Sequence, residues 1–442
     1  MAPLDMKPNE LEPYWLPFTP NRSFKKSPRL FSGAKDMHYL TPDGRKVIDA
    51  TSGLFCVNAG HGRQSIVKAI QHAAETLDFA PPFQYAHPGV FELSSRLTLL
   101  APGDLDYCLF ANSGSEAVDT ALKVALAYHR NRGEGSRTRF IGRERGYHGV
   151  GFGGLSVGGM VANRKMFGNM LAGVDHLPTT YNRSTQAYSN QEPEKGAETA
   201  EELVRLIGLH DASTIAAVIV EPVAGSTGCI PPPKGYLERL RQITELHGIL
   251  LIFDEVITGF GRLGHCFAAE RYGIVPDMIT FAKGVTNAAA PMSGVLVRKG
   301  IYEAHMNGPE HMVELFHGYT YSGHPLAVAA GLATLDIYKE EGLFERAQGL
   351  EAKFADAMLS LKGKPNVVDI RPIGLLCGID LEPIPGKPGM RGYDAIERMY
   401  HEHDLYVRVT GDTLVVAPPL IVSEDQIGEI TERITRVIKA VA

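Results

Sequence analysis

Three ionisable residues stand directly after apolar segments of the sequence, at points that are far apart along the chain. Glu221 follows IAAVIV, Asp254 follows ILLIF and Lys283 follows DMITFA. A lysine at the end of a buried strand loses hydration, and its neutral amine is then a nucleophile suited to Schiff-base formation. An acid in a similar position could keep a heterocyclic nitrogen protonated, as a pyridine cofactor requires. Taken singly, Lys283 could emerge into solvent and Asp254 could cap a helix.

Two other segments contain groups that could bind a phosphate and contact a flat ring. Residues 112–116, NSGSE, lie between a predicted strand and a predicted helix, where backbone N–H groups and a hydroxyl could bind an anion. Tyr147-His148-Gly149 follows the predicted strand RFIGRE and places an aromatic side chain near the same edge. A capped turn and a core aromatic are the ordinary interpretations of these segments. Together with the acid and the lysine they predict a pyridoxal phosphate site.

These residues lie in a part of the sequence where apolar segments typical of strands alternate with segments whose apolar residues have helical periodicity. Strands are predicted at 107–111, 139–142, 215–221, 249–254, 278–282 and 294–298, and helices at 115–130 and 235–247. Continuous apolar strands separated by helices are typical of the α/β class, with a mostly parallel sheet covered on both faces. Ligands of such sheets bind beyond the carboxyl ends of the strands. We therefore expect the two acids and the lysine at one edge of one sheet.

The two ends of the chain have a different pattern. Up to about residue 59 the sequence predicts short strands and turns, with a hairpin at Asp43-Gly44. The last helix opens with a capping box at 423–426. Between the ends, residues 182–200 are polar and predict a surface segment. We predict an N-terminal segment (1–60) that contributes to a small domain, a large cofactor-binding domain (61–325) and a C-terminal small domain (326–442).

Composition and charge argue against several classes of protein. Lys and Arg number 44 against 50 Asp and Glu, a net charge of −6, so neither a nucleic-acid nor an anionic-membrane partner is expected. The five cysteines form no CxxC pair, which argues against a disulfide framework or a zinc site. The first residues, MAPLDMKPNELEPYW, do not have the pattern of a signal peptide, and no apolar run approaches the roughly 20 residues of a membrane span. We expect a cytoplasmic protein.

Two further motifs predict no site of their own. Residues 401–404, HEHD, lack the HExxH spacing and are interpreted as a solvated helix end, so no metal site is predicted. The glycine-rich run at 149–154 lacks the GxGxxG arrangement of a dinucleotide site.

The segment DEVITGFGRLG, followed by PDMITFAKG, resembles the signature of the class III (subgroup II) pyridoxal-phosphate aminotransferases of fold type I. Asp254 and Lys283 are separated by 29 positions within it. Further segments occur in the order expected for that family: EPYWLPFTPNRSF, SGLFCVNAGHG, NSGSEAVDTALK, GYHG, IVEPVAGSTG, FHGYTYSGHP and YVRVTGDTL. Within the class these segments look closest to the ω-amino acid:pyruvate (β-alanine:pyruvate) aminotransferases. The resemblance therefore covers nearly the whole chain.

The resemblance implies a fold and a set of cofactor contacts. It implies a seven-stranded, mostly parallel sheet with a smaller α+β domain, in a homodimer or dimer of dimers with active sites at the subunit interface. By this resemblance Lys283 carries pyridoxal 5'-phosphate as a Schiff base and shuttles the proton. The remaining cofactor positions are Asp254 at the ring nitrogen, Tyr147 and Val256 on the two ring faces, His148 beside them, and Gly114 and Ser115 at the phosphate with Thr320 of a neighbouring subunit.

The resemblance also implies how the substrates bind. Arg408 is expected to bind their carboxylate, Glu221 is the acid near that pocket, and Trp15 and Phe55 are pocket-wall positions. Phe55 departs from the family, which usually has Trp at this position, so the donor range is left open. The expected reaction moves the amino group of β-alanine to pyruvate by a ping-pong mechanism, giving malonate semialdehyde and L-alanine.

Other interpretations of the sequence change the amine donor, the type of reaction, or whether the protein is an enzyme at all. A class III transaminase could prefer primary amines, taurine, 4-aminobutyrate or putrescine, and an aminomutase would need no separate keto acceptor. A non-catalytic relative would retain the fold for binding alone. Lys283 and Asp254 are both present, which favours an enzyme.

Overall fold

A computed structural model describes residues 8–168 and 170–442 of the chain. Its strands are β1 (Gly33–Lys35), β2 (His38–Leu40), β3 (Lys46–Asp49), β4 (Tyr107–Ala111), β5 (Arg139–Arg143), β6 (Val174–Leu177), β7 (Ile215–Val220), β8 (Leu250–Asp254), β9 (Met278–Phe281), β10 (Ser293–Val297), β11 (Val367–Ile373), β12 (Leu376–Leu381), β13 (Leu405–Tyr406), β14 (Arg408–Thr410) and β15 (Thr413–Val416).

The helices include short turns as well as long packing elements. They are α1 (Asn21–Phe24), α2 (Ser52–Phe55), α3 (Gln64–Thr76), α4 (Pro88–Leu100), α5 (Gly114–Asn131), α6 (Phe152–Val157), α7 (Val161–Arg164), α8 (Arg183–Gln186), α9 (Glu202–His210), α10 (Tyr236–Leu246), α11 (Ala268–Arg271), α12 (Lys299–His305), α13 (Pro325–Glu340), α14 (Leu343–Leu359), α15 (Met390–His403) and α16 (Glu424–Ala440). Single 3₁₀ turns cover Pro8–Leu11, Ala197–Glu201, Ala212–Thr214 and Lys283–Thr286.

The central sheet has seven strands in the order β4-β10-β9-β8-β7-β5-β6. Strands β9, β8, β7, β5 and β6 pair in parallel, whereas β10 is antiparallel to both β4 and β9. This confirms the mostly parallel α/β sheet. Every residue of β7, β8 and β9 is buried, because helices cover both faces of the sheet.

Successive residues of the central strands face two separate apolar layers. Ala217 and Ile219 pack in the layer that contains α5, whereas Val218 and Val220 belong to the larger core on the other face, which α10 also joins. The predicted bounds of six of the seven strands of this sheet are confirmed to within one residue. Strand β6, with the sequence VDHL, was not predicted, because only two of its four residues are apolar and it lies half-buried at the sheet edge.

A second part of the fold combines the two ends of the chain. Strands β11-β12-β15-β14 form an antiparallel sheet, and α14 packs against β11 and α16. The predicted hairpin at Asp43-Gly44 is confirmed as the β2–β3 connection, and β3 pairs in parallel with β13 from the C-terminal half. The predicted capping box is confirmed at Ser423 and Gln426. The domain boundaries at 60/61 and 325/326 stay a prediction.

The remaining sequence predictions concern surface segments and the N-terminus. Residues 182–200 contact the antiparallel sheet β11-β12-β15-β14, since the Tyr188 N–H donates to Asp369 Oδ1 in β11 at 2.6 Å. Helix α15 ends at His403, and no group of His, Cys, Asp and Glu side chains in the described part of the chain is arranged to hold a metal ion. Within the same residues no helix is long and apolar enough to cross a membrane. The prediction that the N-terminus is not a signal peptide concerns, in part, residues 1–7, which lie outside the described residues.

Candidate active site

The three strand-end residues lie at one edge of the central sheet, as expected. Strands β7, β8 and β9 are parallel neighbours. Glu221 directly follows β7, Asp254 is the last residue of β8, and Lys283 stands two positions beyond β9. The carboxyl edge of these strands therefore collects two acids and an amine that are far apart in sequence.

Lys283 has an unusual backbone and a lowered pKa. Its φ is 54°, in the left-handed region that side-chain-bearing residues seldom adopt. The next residue must be glycine, because a Cβ at Gly284 would lie 2.8 Å from both Asn58 Nδ2 and Phe260 Cβ. Tyr338 Oη donates to the Gly284 carbonyl at 2.7 Å and holds this turn. Desolvation lowers the pKa of Lys283 to about 8, so a reachable amine is partly neutral near physiological pH.

Asp254 is only 5% exposed and accepts hydrogen bonds on both oxygens. His148 Nδ1 lies 2.8 Å from Asp254 Oδ2, and Oδ1 accepts from the Val256 N–H at 3.1 Å and from Thr280 Oγ1 at 3.2 Å. His148 Nε2 is buried and has no partner among the described residues. The structure thus places His148 against Asp254, where it orients the carboxylate.

Glu221 is buried under the loop that carries Tyr147. Its Oε1 accepts from the Tyr147 N–H at 2.9 Å, and its Oε2 accepts from the Gly225 N–H at 3.0 Å. Burial raises the pKa of Glu221. Since both oxygens bind the main chain, this acid fixes the position of the aromatic residue above it.

The N-terminus of α5 forms an anion cradle beside these residues. Helix α5 begins at Gly114, and Ser115 Oγ accepts from the Val150 N–H at 3.0 Å. A Cβ at Gly114 would lie 3.0 Å from Val256 Cγ1, so a side chain there would crowd Val256 and the helix terminus. Free N–H groups, a hydroxyl and the helix dipole together suit a phosphate.

Phe55 and Arg408, from opposite ends of the chain, lie near Lys283. The ring of Phe55 is 2% exposed, and its centroid lies 5.5 Å from Lys283 Nζ and 5.8 Å from Arg408 Cζ. Arg408 Nε is buried without a hydrogen-bond partner, and within residues 8–168 and 170–442 no carboxylate lies at ion-pair distance from this guanidinium. The arrangement places a guanidinium without an ion-pair partner among the described residues and the Lys283 amine near the same aromatic ring.

Two of the predicted residues lie outside this group. Trp15 is 87% exposed in the N-terminal arm, and Thr320 is exposed in the loop that precedes α13. Their roles stay predictions. Sequence reasoning missed Arg262 and Asn58: the buried Arg262 guanidinium donates to Ser52 and to Asn58, on the two sides of Phe55. The one available signal was a charged residue in the apolar and glycine-rich turn GFGRLG.

Comparisons with known proteins agree with this geometry. The family model for Aminotransferase class-III matches residues 21–438. The chain belongs to the class III aminotransferases. It is 57% identical over 434 residues to an omega-aminotransferase of Caulobacter vibrioides, covering 98% of this chain and 99% of that protein. It is 45% identical over 434 residues to a beta-alanine–pyruvate aminotransferase of Pseudomonas aeruginosa, covering 98% and 96%.

A solved structure gives the same result. The chain is similar, with a TM-score of 0.89 and 35% identity, to an amine transaminase from an uncultivated Pseudomonas species in its PLP-bound form, covering 97% of this chain and 99% of that one. Class III aminotransferases depend on pyridoxal 5'-phosphate, and the described residues fit it. Ser115 offers a hydroxyl at the N-terminus of α5, the Asp254 carboxylate lies at the same sheet edge, and Lys283 offers a partly neutral amine.

The rate at which the apo-aminotransferase takes up pyridoxal phosphate should rise with pH around pH 8. The amine must be neutral to attack the aldehyde, and the lowered pKa of Lys283, about 8, moves this transition down from the ordinary 10.5. Stopped-flow absorbance measures the rate. Pyridoxamine phosphate, which has no aldehyde, is the control and should not show the rise. A transition centred near 10.5 would contradict the role of burial.

Proposed function

We propose that this aminotransferase moves the amino group of an ω-amino acid such as β-alanine to pyruvate, giving malonate semialdehyde and L-alanine. The observation that carries the proposal is the uncompensated guanidinium of Arg408, close to the ring that also contacts Lys283. β-Alanine and pyruvate both carry a carboxylate, which a guanidinium binds through two parallel hydrogen bonds. The similarity to a beta-alanine–pyruvate aminotransferase supports the same choice.

The catalytic roles follow from the positions of the charged residues. Bound pyridoxal phosphate supplies an electron sink that stabilises the negative charge left when the donor carbon loses its proton. We assign to Lys283 the covalent attachment of the cofactor and the movement of that proton, because its amine is reachable and its pKa is lowered. Asp254 is assigned to the ring nitrogen. His148 supports this acid through the hydrogen bond at 2.8 Å.

The remaining residues hold the cofactor in place. Tyr147 and Val256 are assigned to the two faces of the ring, and Gly114 and Ser115 to the phosphate. Glu221 acts on Tyr147 through its main-chain N–H, at 2.9 Å, and we assign it this supporting role in place of a direct substrate contact.

We further propose that a second copy of the chain completes the site. Thr320 lies between exposed aromatic side chains at Phe316 and Tyr321, and Phe83 and Tyr85 are exposed across the adjoining cleft. Several large exposed aromatic side chains in one region are typical of a protein interface. Trp15, which is also exposed, is then available to the pocket of the neighbouring copy.

Sedimentation equilibrium should accordingly give the mass of two or four chains. Burial of these aromatic side chains between copies provides the driving force. A monomer at micromolar concentration would contradict the proposed interface and leave Thr320 without a phosphate to bind.

The cytoplasmic location stays a prediction.

A donor panel with pyruvate as acceptor tests the proposed reaction. β-Alanine, 4-aminobutyrate, taurine, putrescine and propylamine differ in chain length and in whether they carry an anion. We expect β-alanine to be converted to malonate semialdehyde with formation of alanine. Turnover of putrescine or propylamine with none of β-alanine would contradict the proposal, and conversion of an amino acid without any acceptor would indicate an aminomutase.

Replacing Arg408 with alanine should weaken the reaction of β-alanine and pyruvate selectively. Loss of a charge-assisted pair costs about 2 kcal/mol or more, which is about 30-fold in kcat/KM. The donor half-reaction of propylamine, which has the chain length of β-alanine and no carboxylate, should change little. Single-turnover absorbance with each donor measures the difference. Arg398→Ala, on the solvent face of α15, is the matched control. Equal losses for both donors would show that Arg408 supports the fold.

A further inference from the structure

The segment that carries Phe55 has a strained backbone. In the Phe55 loop, defined here as residues 51–58, Ser52 has a φ of 49°, Gly53 of 64° and Phe55 of 62°. Two of these residues carry side chains, and side chains disfavour the left-handed region. Such a conformation persists only where surrounding contacts hold it.

Arg262 supplies contacts to both ends of this loop. Its guanidinium is fully buried, and Nη2 donates to Ser52 Oγ and to Asn58 Oδ1, each at 2.9 Å. Its Nη1 donates to the carbonyls of Leu375 at 3.1 Å and Pro418 at 2.7 Å, next to the small antiparallel sheet. One side chain of the large domain therefore joins the Phe55 loop to the C-terminal part of the chain.

Other bonds fix the first residues of the loop in the same arrangement. Asp49 accepts from the N–H groups of Thr51 at 2.9 Å and Gly53 at 2.7 Å. Ser52 Oγ donates to the Ala417 carbonyl at 2.7 Å, so this hydroxyl links Arg262 to the main chain after β15. The second half of the loop, in contrast, is tied to the large domain by Asn58, whose Nδ2 donates to the Phe260 carbonyl at 2.8 Å.

We propose that Arg262 is a positioning residue for donor selection. By binding Ser52 and Asn58 it holds the Phe55 ring against Lys283 and so limits the bulk of the amine that the site accepts. The inference rests on the proposed placement of Phe55 in the substrate pocket, and it does not require β-alanine to be the donor.

Arg262→Lys is the informative substitution. Lysine retains the positive charge, but one ammonium cannot reach four acceptors that lie in two directions. The side chains of Ser52 and Asn58 then keep only their bonds to the Ala417 and Phe260 carbonyls, so the loop is held less firmly and the ring should leave the position that excludes large donors. The cofactor contacts of Asp254 and Lys283 are not part of this hydrogen-bond set.

The experiment measures donor selectivity in the holoenzyme with pyruvate as acceptor. The readout is the ratio of kcat/KM for 1-phenylethylamine to kcat/KM for propylamine. Neither amine carries a carboxylate, so Arg408 does not enter the comparison. We expect Arg262→Lys to raise this ratio on the order of tenfold, the size of effect that altered pocket contacts produce. The visible absorbance of the bound cofactor should stay that of the unaltered enzyme.

The matched control is Arg137→Lys. Arg137 is another arginine that binds main-chain carbonyls, those of Ala212 at 2.8 Å, Ile215 at 3.2 Å and His247 at 3.3 Å. These carbonyls lie at the amino ends of the parallel strands, at the opposite edge of the sheet. This variant should lower the melting temperature and leave the donor ratio unchanged.

A double substitution tests whether Arg262 affects donor selectivity through the Phe55 ring. In a Phe55→Ala background, Arg262→Lys should no longer change the ratio, because no ring remains to be positioned. Should Arg262→Lys fail to fold, Ser52→Ala removes only the hydroxyl link and should raise the ratio in the same direction. The inference is overturned if Arg262→Lys lowers stability with an unchanged ratio, or if it acts equally with and without Phe55. Failure of the unaltered enzyme to use β-alanine would overturn the proposed function alone.

Discussion

Replacing Lys283 with alanine should reduce transamination by about 10⁴-fold or more, with the fold retained. The alanine methyl group can neither bind the cofactor covalently nor move a proton at the donor carbon. Turnover with pyruvate and far-ultraviolet circular dichroism measure the two effects. Borohydride reduction of the unaltered holoenzyme, followed by peptide mapping, should place the label on Lys283.

The control for this experiment is Lys299→Ala, which removes an exposed lysine at the start of α12. It should leave turnover and the borohydride label unchanged. A label on a lysine other than Lys283, or a Lys283→Ala variant with substantial turnover, would refute the assignment of the reactive amine.

Replacing Asp254 with asparagine should slow the donor half-reaction on the order of 10²–10³-fold, the cost of losing an oriented electrostatic contact. The amide has nearly the same shape and can still accept the hydrogen bonds of Val256 and Thr280, so the fold should survive. It cannot, however, carry the negative charge that keeps a ring nitrogen protonated. Single-turnover absorbance after mixing with the donor measures the rate.

Asp277→Asn is the matched control for Asp254. Asp277 is also buried against the central sheet, where its Oδ2 accepts from the Leu251 N–H and from Arg241 Nη1, each at 2.7 Å. It precedes β9 and so lies at the amino edge, away from the cofactor site. Its substitution should lower stability and leave the half-reaction unchanged. Equal slowing by both variants would mean that Asp254 acts only through the structure.

The strand-end residues could be predicted because local sequence determines them. An apolar run that ends in a charged residue fixes both the buried strand and the point where it emerges, and parallel order then brings Glu221, Asp254 and Lys283 to one edge. Strand β6 could not be predicted, since its pairing with β5 and not its composition makes it a strand.

The supporting contacts could not be predicted from sequence for a different reason. The bonds of Arg262 to Ser52 and of His148 to Asp254 join positions separated by 210 and 106 residues. Neither contact can be predicted from a local periodicity or a sequence motif. Thr320 and Trp15 are a further case, because the proposed partners of these residues belong to a second chain.

The pairing of β3 with β13 has a consequence for the synthesis of the protein. Asp49 pairs with Tyr406, so β3 leaves the ribosome long before its neighbour exists. At about 5–20 residues per second the delay is roughly 20–70 s. During that time the N-terminal strands present an open edge, which is a site for wrong pairing between nascent chains. This edge is covered only after β13 has been translated and has left the ribosome.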